Sequence, residues 1–159
     1  MSQRAASVPR VSRLDDVGER DGWRCWICDQ AVDPDMSVND ARGPSIDSLA
    51  TDRGKNKAKG DPQPERLAHR GCNTRKGAVA AIVPWPGDLF VIDPAPILTS
   101  VDRLQRKSGR EVMARCPSQS DGDAAAAWLL DRISRLRPGL AVSTEVERVG
   151  GQYLLLLRT

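Results

Sequence analysis

Two short strings constrain this chain more than anything else in it. Cys25-x-x-Cys28 and His69-x-x-Cys72 are two pairs of metal-ligand side chains, and the members of each pair stand three apart. A tight knuckle can bring both members of such a pair to one ion. Together they offer three sulfurs and one imidazole nitrogen, a closed tetrahedral set that suits structural Zn²⁺. Forty residues (29–68) separate the pairs, so one ion would tie two distant segments together. The other reading is two unrelated pairs with His69 on a surface, but it fits a lone C-x-x-C better than two chemically matched pairs. The chain's single His and three of its four Cys are used in this way. The fourth, Cys116, lies in an apolar segment and reads as a small core residue.

Size makes the metal matter. The chain has 159 residues, enough for one domain or for a small domain with an appendage. With 40% apolar and 28% charged residues it is of ordinary globular composition. Aromatics are only 4%, which excludes a large aromatic core. A core so poor in rings is marginal in a unit of ~70 residues, where bound zinc can couple to folding by ~10 kcal/mol or more. Residues 22–81 are therefore expected to depend on the metal. No run approaches the ~20 apolar residues of a bilayer span, and no apolar stretch follows the N-terminal charges. The expected location is cytoplasmic, a reducing setting in which cysteines are thiols or metal ligands.

The net charge of +3 says less than its distribution. Residues 1–52 hold 6 basic and 10 acidic side chains, and residues 77–159 hold 10 and 9. Residues 53–76 hold 8 basic against 2 acidic, a local +6 that attracts phosphate. A solvated loop is the competing explanation for that charge run.

The punctuation predicts two domains. Residues 1–9 read as a disordered tail, and 10–83 as the zinc domain. Within it a short helix is expected over 10–20, a strand over 45–51, an exposed loop over 52–64 and a helix near 72–81. Residues 84–96 are proline-rich and read as a linker. Residues 97–159 read as a small α+β domain. It comprises a strand over 110–116, a helix from about 121 to 136 and a hairpin of 141–149 and 152–158 around Gly150-Gly151. An extra strand near 97–104 would make the unit ββαββ, and without it the unit is βαββ. The leucines at 154–157 suggest a strand buried on both faces, and an edge exposed after Leu157 would favour pairing with another chain. Trp23 and Trp26 are expected to pack around the metal and Trp128 in the C-terminal core.

The strings Asp21-Gly22-Trp23-Arg24-Cys25-x-x-Cys28 and Leu67-Ala68-His69-Arg70-x-Cys72-Asn73-x-x-Lys76-Gly77 resemble the HNH endonucleases with a zinc-bound ββα-metal fold. The resemblance covers about residues 11–80. It implies an α+β chain, with an HNH-like ββα-metal domain followed by the small α+β domain. Position by position, Cys25, Cys28, His69 and Cys72 match the zinc ligands, and Asn73 matches the metal-binding residue on the helix. Asp47 matches the acidic residue of the family's Asp-His pair. The next position departs from the family: Ser48 stands where the general-base His belongs.

The resemblance implies Mg²⁺- or Mn²⁺-dependent hydrolysis of DNA phosphodiesters. Asp47 and Asn73 would hold the catalytic ion, and Ser48 would occupy the base position. Arg53, Lys55, Lys57, Lys59, Arg66, Arg70, Arg75 and Lys76 would hold the nucleic-acid backbone. Loss of the base typically costs ~10²–10⁴ in rate. The chain is then a weak endonuclease, with a metal-bound hydroxide or a carboxylate such as Asp52 as base, or a catalytically inactive zinc-stabilised DNA-binding module. A third reading makes the zinc module a scaffold for protein partners or self-association through the C-terminal domain. No membrane partner is expected.

Overall fold

The computed structural model describes residues 13–48, 65–76 and 82–159. The expected tail over 1–9, the basic loop over 53–60 and positions 77–81 of the expected helix lie outside these residues. The described residues form four helices and five strands, a mixed α+β chain. They fall into two compact units, 13–48 with 65–76 and 82–159.

The first unit opens with α1 (Arg13–Arg20), whose first turn carries Asp15 and Asp16, as the helix dipole favours. Positive φ at Gly22 (64°) and Trp23 (52°) then reverses the chain. The reversal lays the Trp23 ring against Gly18, where a Cβ would lie 2.5 Å from ring carbons. Gly18→Ala is expected to lower the stability of this unit by ~1–3 kcal/mol, measured by denaturant unfolding of the zinc-loaded protein. β1 (Pro44–Asp47) and β2 (Arg66–His69) pair antiparallel from Pro44↔His69 to Asp47↔Arg66. α2 (Arg70–Lys76) follows β2 without a loop, giving a ββα order. Leu67 turns both backbone groups away from β1. Its N–H donates to the Asp21 carboxylate at 2.7 Å, and its carbonyl accepts from Trp26 N–H at 2.9 Å. The two halves of the distant pairing are thereby stapled before any metal is considered. Val17, Trp26, Val32, Leu67 and Ala68 are buried here with Cys25.

The second unit contains α3 (Ile97–Arg106), β3 (Arg110–Cys116), α4 (Gln119–Leu136), β4 (Ser143–Val149) and β5 (Gln152–Arg158). The sheet order is β3-β5-β4 with both pairings antiparallel. β3 and β4 thus run parallel, joined through α4, with β5 inserted between them. The segment near 97–104, for which an extra strand is one of two alternatives, is a helix. Its β-branched Ile97, Thr99 and Val101 favour a strand locally. The spacing Ile97, Val101, Leu104 makes a helical stripe that is buried along its length, and burial decides. The unit is βαββ preceded by a helix. Ser118 caps α4 by accepting from Asp121 N–H at 3.1 Å, and Ala125, Leu129, Ile133 and Leu136 are buried from its inner face. Gly150, at φ 62°, makes the hairpin turn.

Leu155, Leu156 and Leu157 are 0%, 2% and 0% exposed, so both faces of β5 are covered, because successive residues point to opposite sides. No edge follows Leu157, since β5 is central. The outer edge of β3 is met by Ile92, which exchanges two hydrogen bonds with Arg115 at 2.8 and 3.0 Å. β4 forms the other edge. The proline-rich stretch packs within this unit: the Trp85 ring centroid lies 5.2 Å from that of Trp128, and Trp85 Nε1 donates to the Ala95 carbonyl. Cys116 is fully buried, and burial pushes its thiol pKa up. No helix among the described residues is long and apolar enough to cross a membrane.

Candidate metal centre

The first string folds into a closed knuckle. Cys25 N–H donates to the Gln30 carbonyl at 2.9 Å and Asp29 N–H to the Cys25 carbonyl at 2.8 Å. Asp29 takes φ 64° at the tip, and the Arg24 guanidinium grips its carbonyl and carboxylate. Cys25 and Cys28 therefore leave one tight turn on the same side. His69 ends β2 and Cys72 stands in the first turn of α2, so the strand-to-helix junction delivers the other two ligands.

The structure brings the four predicted ligands together. The Sγ atoms of Cys25, Cys28 and Cys72 and a ring nitrogen of His69 all lie within 4.8 Å of one another. A tetrahedral ion with ~2.3 Å bonds sets its ligand atoms ~3.8 Å apart, so the cluster has the dimensions of a zinc site. His69 Nε2 is 2.9 Å from the Ala31 carbonyl, which can only accept. Nε2 thus carries the proton, and Nδ1 presents its lone pair 3.3 Å from Cys28 Sγ and 3.9 Å from Cys72 Sγ. The Ala31 carbonyl has no signature in the sequence. It is placed by the Arg24↔Ala31 bridge that closes the knuckle.

The thiols are prepared for a cation. Burial pushes the Cys25 thiol pKa up to about 12, against backbone N–H groups of Cys28, His69 and Ile27 that favour the thiolate. One of these, His69 N–H, donates to Cys25 Sγ at 3.4 Å. Arg75 points Nη2 at Cys72 Sγ, 3.6 Å away. Donors aimed at sulfur stabilise thiolates, and a bound divalent ion supplies the charge that burial otherwise denies them. The Cys₃His set fits structural zinc.

The residues expected to hold Mg²⁺ or Mn²⁺ are arranged differently. Asp47, at the end of β1, is only 2% exposed. Its Oδ2 accepts from Trp26 Nε1 at 3.1 Å and pairs with Lys76 Nζ at 3.3 Å. The Lys76 side chain is itself 6% exposed. Asn73 is tied back to β1, donating from Nδ2 to Ser45 Oγ at 3.0 Å and to the Ile46 carbonyl at 3.3 Å. Ser48 follows Asp47 just beyond β1. A divalent ion does not fit these side chains as they stand, because the Asp47 carboxylate already faces a buried ammonium.

The basic residues divide. Arg66 is 1% exposed, with its guanidinium 5.4 Å from the Trp26 ring centroid. Lys76 is committed to Asp47. Arg70 and Arg75 are exposed, Arg70 reaching the Asn39 carbonyl at 2.9 Å. Arg53, Lys55, Lys57 and Lys59 lie outside the described residues. Lys76 stands three after Asn73 and so shares its helix face, but that spacing does not name Asp47 as its partner.

No family model matches the chain, and no curated protein or solved structure matches it.

Proposed function

We propose that residues 13–48 and 65–76 form an HNH-type, zinc-stabilised ββα module that binds DNA and has lost the hydrolytic step. The observation that supports this reading is the commitment of His69, the chain's only imidazole, to the cysteine cluster, with Ser48 in the position that resembles the family's base. A serine hydroxyl has far too high a pKa to take a proton from water unaided. What is kept is the frame and the positive segment that attracts phosphate. A second reading, a residual Mn²⁺-dependent nuclease, would require Lys76 to leave Asp47 so that Asp47 and Asn73 could face one ion.

Fluorescence anisotropy with a labelled duplex tests the binding. About six phosphate contacts, from Arg53, Lys55, Lys57, Lys59, Arg70 and Arg75, predict a ~10³-fold loss of affinity between about 50 and 200 mM salt. Binding that ignores salt, or no binding at low salt, removes the proposal. Plasmid nicking in Mn²⁺ separates the readings: the module should leave the plasmid intact, whereas nicking abolished by Asn73→Ala would establish the nuclease.

A further inference from the structure

We infer that Lys76 is an internal substitute for the divalent cation at Asp47. The module has then lost its metal position as well as its base, and a histidine restored at position 48 does not by itself restore cleavage. The inference rests on the HNH-type reading, because that reading makes Asp47 the residue to which a metal would be expected to bind.

The geometry has three parts. The Asp47 carboxylate is nearly solvent-free, so its charge needs a partner inside the unit. Lys76 Nζ supplies that charge at 3.3 Å from Oδ2, and the Lys76 side chain is almost as deeply buried. Trp26 Nε1 occupies the same oxygen from another direction at 3.1 Å. An incoming dication would have to lie beside a buried ammonium, and like charges in a low-dielectric site repel strongly. It would also have to shed waters that Mg²⁺ gives up reluctantly. The arrangement is built from the fold: β1 places Asp47, the knuckle places Trp26, and the last turn of α2 places Lys76.

The Trp26 indole N–H is a reporter in contact with the carboxylate, and paramagnetic Mn²⁺ bound at Asp47 would broaden its NMR signal. In the zinc-loaded wild-type protein millimolar Mn²⁺ should leave that signal sharp. In Lys76→Met it should broaden it, with an apparent affinity higher by ~100-fold or more, the scale of a like-charge juxtaposition removed. Adding Asp47→Asn to Lys76→Met should abolish the effect. Broadening in the wild type overturns the inference, and so does a folded Lys76→Met that stays sharp. If Lys76→Met loses its zinc, Lys76→Gln takes the same measurement, and if neither folds the wild-type spectrum decides. Duplex affinity measured on the same samples keeps the two proposals apart. Lost DNA binding with the predicted Mn²⁺ behaviour defeats only the functional reading, and DNA binding with a Mn²⁺-broadened wild type defeats only this one.

Discussion

Removing zinc with a strong chelator is expected to unfold residues 13–48 and 65–76 while the β3-β5-β4 sheet keeps its protected amides. The core of the first unit is small: Val17, Trp26, Val32, Leu67 and Ala68 around Cys25. Such a core leaves little net stability after chain entropy is met. Zinc bound by a Cys₃His set contributes ~10 kcal/mol or more at neutral pH, which exceeds what these side chains supply. Cys25→Ser or His69→Ala should act in the same direction as the chelator. Amide exchange read residue by residue checks this, with loss of protection in β1, β2 and α2. The pH dependence has a definite sign. Burial holds the metal-free Cys25 thiol protonated, near a pKa of about 12, so metal uptake at neutral pH expels its proton. Zinc affinity should therefore rise with pH and fail first in acid.

Lys76→Ala is expected to cost ~3–5 kcal/mol in the zinc-loaded protein, because it leaves the Asp47 carboxylate buried without that ammonium. An exposed pair would be worth ~0–1 kcal/mol, so the size of the loss reports the burial. Asp47→Asn should also be destabilising, because it removes the carboxylate from the same buried pair. The double variant Asp47→Asn with Lys76→Met should recover most of the loss, since it removes both charges at nearly constant volume. Denaturant unfolding of the four proteins gives the coupling. Additive losses would mean that the two side chains do not depend on each other. The single losses stay below the zinc contribution, so each variant should still fold when loaded.

The ligand set was legible because it is a local signal written twice, with chemistry that matches. The α4 helix and the hairpin at Gly150-Gly151 were legible for a similar reason, since caps and turns are set by adjacent residues. The choice between an extra strand and none at 97–104 is decided by helix α3, whose Ile97, Val101 and Leu104 carry the helical period. The place of β5 at the centre of the sheet was not local information: it depends on β3, about forty residues earlier in the chain, returning beside it. The same limit applies at Asp47. The sequence shows a carboxylate and a basic segment, and charge runs suggest solvent. The pairing of Asp47 with Lys76 and the burial of Arg66 arise only when β1, β2 and α2 close on Trp26.

X-ray absorption at the zinc edge, on protein whose metal content has been measured, addresses the clasp directly. One zinc per chain is expected, with three sulfurs at ~2.3 Å and one nitrogen at ~2.0–2.1 Å. A protein that purifies folded without zinc, or a zinc shell of oxygen ligands lacking the imidazole, would contradict it.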